Sequence, residues 1–168
     1  KTDRTEFTAN GDISLMADNF AEGRGHVALK SRNIEPYLLL TAIGIPQFGG
    51  GLPVDLRSDF ALSDKSIDIT SLRGNAGGNN IEGNLSIDRA SANLKADGAL
   101  AVETLDLAWL GEAVFGPMVN PDNGEPGTEP FSLPIFGDND VSLDLTAKAF
   151  HAGEIGRIAN FSTKLQHR

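Results

Sequence analysis

Apolar and polar residues alternate one by one along most of this chain, and that alternation constrains its fold more than any other feature. Val54-Asp-Leu-Arg-Ser-Asp-Phe-Ala-Leu62 sets Val54, Leu56, Phe60 and Leu62 on one side and Asp55, Arg57 and Asp59 on the other. A period of two fits a β-strand with one face in a core and one in water; a helix needs a period of 3.6. Polar "SDKS" at Ser63–Ser66 reads as a turn, after which Ile67-Asp-Ile-Thr-Ser-Leu72 resumes the pattern. Val141, Leu143, Leu145 and Ala147 share one side of "VSLDLTAKA". Similar runs fit strands at 5–9, 13–16, 26–30, 80–88, 92–96, 98–103 and 161–166. About nine or ten short strands with polar or glycine turns predict a mainly β chain. Their one-sided pattern predicts an antiparallel, curved or groove-shaped sheet covered on one face.

Two stretches break the alternation. "RNIEPYLLLTAIGIP" offers Asn33 as an N-cap, Pro36 in the first turn and Gly44 as a stop, which predicts a helix at about 34–43. "TLDLAWLGEAVFGP" offers Asp106 as an N-cap, Leu107, Leu110, Val114 and Phe115 at helical spacing, and Gly116-Pro117 as the stop, which predicts a helix at about 106–115. Helices this short are marginal alone, so each must dock on the sheet. Tyr37 and Trp109 hold corresponding positions in the two and are the expected docking aromatics. The halves of the chain also match: "GDISL" at Gly11 with "GNLSI" at Gly83, and "GHVALKS" at Gly25 with "GALAVET" at Gly98. Two related strand–strand–helix units, at about 11–44 and 83–116, are expected within one β-rich segment. Residues 117–140, rich in proline, glycine and acids, read as a long loop inserted before the last strands.

The remaining features exclude more than they assign. A net charge of −9 without any long basic block argues against nucleic acid and anionic membrane surfaces as partners. The absence of cysteine removes disulfides, zinc–thiolate sites and thiol chemistry. The chain opens on Lys1 without an apolar leader or a membrane-length apolar run, so it is expected to be a processed product or a piece of something longer. "SLRGNAGGNNIEGNLSI" at Ser71–Ile87 is rich in glycine but has no lysine after it and leads into a strand, so it cannot cradle phosphates as a P-loop does. It reads as a hairpin turn at Gly77-Gly78 or Asn79-Asn80, with Gly83 a bulge or a close backbone approach. His26, His151 and His167 are widely separated, and "GDNDVSLD" at Gly137 lacks the glutamate and central glycine of a calcium loop. No G-x-S-x-G elbow is present, and the acids alternate outward along strands, so neither hydrolase chemistry nor a cofactor is expected.

What is left is the apolar face. Two short helices carry too few apolar residues to cover it, so either the sheet folds on itself or it leaves an oily trough. Val54, Leu56, Phe60, Leu62, Ile81, Leu85, Ile87, Leu100, Val102, Val141, Leu143 and Leu145 are the expected lining. Such a surface suits acyl chains, whose burial is non-directional and yields about 0.8 kcal/mol per methylene.

The run "DITSLRGNAGGNNIEGNLSIDRASANLKADGALAVETLDLAWL" resembles the AsmA-like proteins of Gram-negative bacteria. The likeness lies in Ile81-Glu-Gly-Asn-Leu-Ser-Ile87, a turn, then Gly98-Ala-Leu-Ala-Val102 and Leu105-Asp-Leu107 leading into a helix. "VSLDLTAKAFHAGEIGRIANFSTKLQH" is similar to the strand pair opening the next unit. The resemblance implies a periplasmic segment of an envelope protein anchored in the inner membrane by a helix outside this chain. It also implies a U-shaped β-groove serving outer-membrane biogenesis and phospholipid movement, with no catalytic residues. Expected partners are lipid acyl chains, neighbouring segments of the same protein and other envelope proteins. The competing expectations are a β-sandwich carbohydrate-binding or adhesion module, and a hydrolase on a β scaffold.

Overall fold

The computed structural model describes residues 5–15, 21–40, 49–90, 93–115 and 139–167 of the 168-residue chain. Eight strands form one open sheet in sequence order: β1 (Thr5–Leu15), β2 (Ala21–Ser31), β3 (Val54–Leu62), β4 (Ser66–Ala76), β5 (Asn79–Asp88), β6 (Lys95–Asp106), β7 (Asp140–His151) and β8 (Arg157–His167). Helix α1 (Glu35–Leu40) follows β2, and α2 (Leu107–Phe115) follows β6 directly. The fold is therefore mainly β with two short helices, as the alternation requires. Among the described residues all eight strands belong to one sheet and none forms a second sheet packed on it. No helix among the described residues is long and apolar enough to cross a membrane.

Three local expectations change. First, the segments 5–9 and 13–16 merge into the single strand β1, and 92–96 and 98–103 into β6; Met16 and Ala92 lie outside the described residues. Gly11 and Gly98 are not turns. A Cβ on Gly11 would lie 2.3 Å from the Arg24 carbonyl oxygen, and one on Gly98 2.5 Å from that of Asn84. Here glycine lets strands approach closely instead of ending them. Second, the sheet is not purely antiparallel: β6 and β7 run parallel, from Lys95↔Asp140 to Asp106↔His151. Third, β4 carries one extra residue against both neighbours, between Ile69 and Leu72, where Ser71 adopts φ 53. This β-bulge restores the apolar residues of β4 to one face after an in-strand change of phase.

The turns follow their chemistry. Gly77 and Gly78, at φ 59 and 83, join β4 to β5, while the Asn75 Oδ1 accepts the Gly78 N–H at 3.0 Å. Two successive positive φ values are those of a tight hairpin turn. At the β3–β4 turn, the Ser63 hydroxyl oxygen accepts the Ser66 N–H at 2.9 Å. Asn33 Oδ1 accepts the N–H of Glu35 and of Leu52, each at 3.0 Å, so it both caps α1 and ties it to the start of β3. The Glu35 carboxylate is buried, and its Oε1 accepts the Gly49 and Gly51 N–H groups at 3.2 and 3.1 Å. Asp106 Oδ1 accepts the Trp109 N–H at 2.6 Å, capping α2. Residues 41–43 of the expected first helix, and 117–138 of the expected long loop, lie outside the described residues.

Candidate functional site

The strand registers bring the alternating residues of all eight strands onto common faces. Moving across the sheet, one row reads Ile13, Gly23, Leu62, Ile67, Ile87, Ala96 and Val141. The next reads Gly11, Gly25, Phe60, Ile69, Leu85, Gly98, Leu143 and Leu165. A third runs from Leu72 through Gly83 and Leu100 to Leu145, and a fourth from Phe7 through Leu29, Leu56, Gly74, Ile81, Val102 and Ala147 to Phe161. Same-face rows within a strand lie about 6.6 Å apart, so four rows make a band about 20 Å deep between the outermost rows. No Asp, Glu, Lys or Arg side chain belongs to it, and His167 closes the first row on β8.

All twelve residues expected to line the trough fall on this face. Their surroundings differ along the sheet. Val141, Leu145 and Leu165 are buried and form one cluster, against which Ala96, Leu100, Leu143 and the α2 residue Leu110 pack. Val54, at the start of β3 and beyond these four rows, is buried, whereas Leu56, Phe60, Leu62, Ile81, Leu85, Ile87, Leu100, Val102 and Leu143 are partly exposed. On β1, Phe7, Ile13 and Leu15 are 66%, 60% and 84% exposed. The two expected docking aromatics behave differently from Leu110. Tyr37 stands 48% exposed, and Trp109 is not among the residues on the buried cluster. The spacing of Leu107, Leu110 and Val114 already held the signal for Leu110; the aromatic character of Trp109 outweighed it.

Most of the opposite face is a ladder of polar residues, with one apolar row, Leu105, Phe150 and Ile158, across β6, β7 and β8. Lys30 pairs with Asp55 at 3.1 Å across β2–β3, Lys148 with Glu103 at 3.4 Å across β6–β7, and Lys164 with Asp144 at 3.9 Å across β7–β8. The Asp59 carboxylate bonds His26 Nδ1 and lies beside Ser71. Those two hydrogen bonds, more than the charges of His26 and Arg73, hold the Asp59 carboxyl below its ordinary range. Thr8, Asn10, His26, Arg57 and Arg73 surround a shallow depression of about 330 Å³ at this point. These groups are solvent-exposed and compensate one another's charge, the usual state of a solvated sheet face.

No group of three or more His, Asp or Glu side chains among the described residues could hold a metal ion. Within "GDNDVSLD", Asn139 Oδ1 accepts the Leu94 N–H at 3.2 Å and Asp144 faces Lys164, so these oxygens serve the sheet. His26, His151 and His167 lie on three different strands and are not brought together. No family model matches this chain, and neither does any curated protein or solved structure.

Proposed function

We propose that this chain is a non-enzymatic segment of an AsmA-like β-groove in the bacterial envelope, positioned in the periplasm and carrying phospholipid acyl chains on its apolar face. One observation supports this above the others. Apolar rows cross the sheet from β1 to β8, while α2 is the only described helix with a residue packed on the buried cluster. A contiguous exposed apolar surface marks a binding site for a partner. The mainly aliphatic and poorly directional character of the rows fits hydrocarbon better than a polar ligand. Neighbouring segments of the same protein and other envelope proteins would deliver or receive the lipid. A carbohydrate-binding sandwich has less support, because one open sheet replaces the packed pair and the only Trp and Tyr sit on helices, not on a sheet face.

The test places a photoreactive p-benzoylphenylalanine at Leu56 on the apolar face, or at Arg57 on the polar face, of the whole chain. Illumination with phosphatidylethanolamine–phosphatidylglycerol vesicles is expected to attach lipid at Leu56 and not at Arg57. Equal labelling at the two positions, or none at either, overturns the reading.

A further inference from the structure

We propose that β1 is a self-pairing edge, and that two copies of the chain join antiparallel through β1 about a two-fold axis at Asn10. The inference concerns the rim of the sheet and stands whether or not the apolar face binds lipid.

An open sheet has two rims, here β1 and β8. Strand rims normally carry charged side chains, above all lysine, or a proline, a bulge or an inward charge that prevents pairing with another chain. β1 has no lysine, proline, bulge or inward charge; its two acids, Glu6 and Asp12, lie on the polar face. Its sequence TEFTANGDISL lacks Lys, Arg and Pro, and all eleven residues stay in register with β2. Nothing among the described residues lies beyond it. β8 is guarded: Asn160 takes the left-handed conformation at φ 54, and Arg157 and Lys164 lie on the strand.

The sequence of β1 also selects one register. With the axis at Asn10, the apolar face pairs Phe7 with Ile13, Ala9 with Gly11 and Thr5 with Leu15 of the second copy. An aromatic residue opposite a β-branched one is a favourable cross-strand pair. The polar face pairs Glu6 with Ser14, Thr8 with Asp12 and Asn10 with itself, so no like charges stand directly opposite, and Glu6 meets Asp12 of the second copy only on the diagonal. Moving the axis to Ala9 sets Glu6 against Asp12, and moving it to Asp12 sets that carboxylate against its own copy. An axis at Gly11 leaves Thr5 and Glu6 unmatched within the strand. An axis between two residues would oppose apolar to polar side chains. A two-fold axis normal to the sheet keeps both apolar faces on one side and closes the assembly at two copies.

The chain has no cysteine, so a single introduced thiol reports on the pairing. Asn10→Cys places two thiols on residues directly opposite, whose Cα atoms lie about 4.5–5.5 Å apart, within disulfide reach. Diamide is expected to convert this variant to a covalent dimer on non-reducing gels. Ser14→Cys, set against Glu6 of the second copy, is expected to stay uncrosslinked. By light scattering, Thr8→Asp should weaken the dimer roughly tenfold through two symmetric like-charge pairs, and Thr8→Lys should tighten it. Circular dichroism confirms that each variant is folded. Folded monomer at all concentrations, equal crosslinking at both positions, indistinguishable Thr8 variants, or open-ended assembly through β8 would each overturn the proposal.

Discussion

The two halves of the chain share one plan and end in different states. Each runs strand, strand, helix, strand, strand: β1-β2-α1-β3-β4, then β5-β6-α2-β7-β8. In the first half, Val54 is the one buried apolar residue among those described; the second half buries Val141, Leu145, Ala147, Ala149, Phe150, Ala152 and Leu165. The cause lies in how the chain returns after the helix. β3 begins beside the end of β2, at Ser31↔Val54, so α1 can stay at the rim of the sheet, tied there by Asn33 and Glu35. β7 begins beside the far end of β6, at Lys95↔Asp140. A parallel neighbour requires a crossover along the length of the strand. That crossover starts with α2, which sets Leu110 on the apolar face. Among the described residues, strand direction therefore decides which end of the oily band the chain itself covers.

The largest effect should come from the covered end. Leu145→Ala removes a side chain that is 8% exposed at the centre of the α2 cluster. With a single sheet layer around it, the cost should fall at the lower end of the usual range, about 2–3 kcal/mol. Ile13→Ala, at a residue 60% exposed on β1, should cost less than about 1 kcal/mol. Urea unfolding of both variants, at protein concentrations low enough to keep them monomeric, measures the difference. Equal losses would show that the two ends are packed alike and remove the contrast.

Glycine gives the next comparison. A Cβ on Gly83 would stand 2.2 Å from the Ala99 carbonyl oxygen, between two interior strands that cannot part without disturbing their neighbours. Gly83→Ala should destabilise by about 2 kcal/mol. Gly11→Ala meets the Arg24 carbonyl oxygen at 2.3 Å, but β1 lies at the rim and can move outward. Its cost should be about half that of Gly83→Ala. Chemical denaturation ranks the two, and a larger loss at Gly11 would mean that β1 is held in place from outside.

The close approach at Gly83 was legible in the sequence, whereas those at Gly11 and Gly98 were not. Alternation alone placed all twelve lining residues on one face, because a strand's period of two leaves only two choices and charge settles which is wet. Caps at Asn33 and Asp106 and the Gly77-Gly78 turn were legible for the same reason: each is fixed by side chains within a few residues. Gly11 and Gly98 were misread as strand ends because closeness of a neighbouring strand is not a local property. The bulge at Ser71 carries a residue that seldom adopts positive φ, so nothing nearby announces it. The parallel pairing of β6 with β7 depends on where a long connection lands, which the alternation of β7 does not encode. Trp109 drew attention by its size, yet the helical phase of Leu110 decides which side chain meets the sheet.

Removing the α2 cap probes the crossover itself. Asp106→Ala deletes the oxygen that accepts the Trp109 N–H and should cost about 1 kcal/mol. Amide exchange should rise in α2 and at Leu145 while β1–β4 stay unchanged. Faster exchange across all eight strands would show that α2 supports the whole sheet and not only its covered end.

The smallest expected effect lies on the polar face of the open half. The hydrogen bonds from His26 and Ser71 stabilise the ionised Asp59 carboxylate, so its folded-state pKa is depressed. A depressed carboxylate contributes stability that is present above its unfolded pKa, about 4, and is lost as pH falls through the lower folded value. Asp59→Asn should therefore be slightly less stable than the parent chain at pH 6, with the gap closing toward pH 3. Because the Asp59 side chain is 43% exposed, solvent screens the interaction and the gap should be near the limit of measurement. Urea midpoints at the two pH values decide it. A gap that persists at pH 3 would mean that Asp59 acts through shape or register at the Ser71 bulge, and would make the polar face a structural participant in that half.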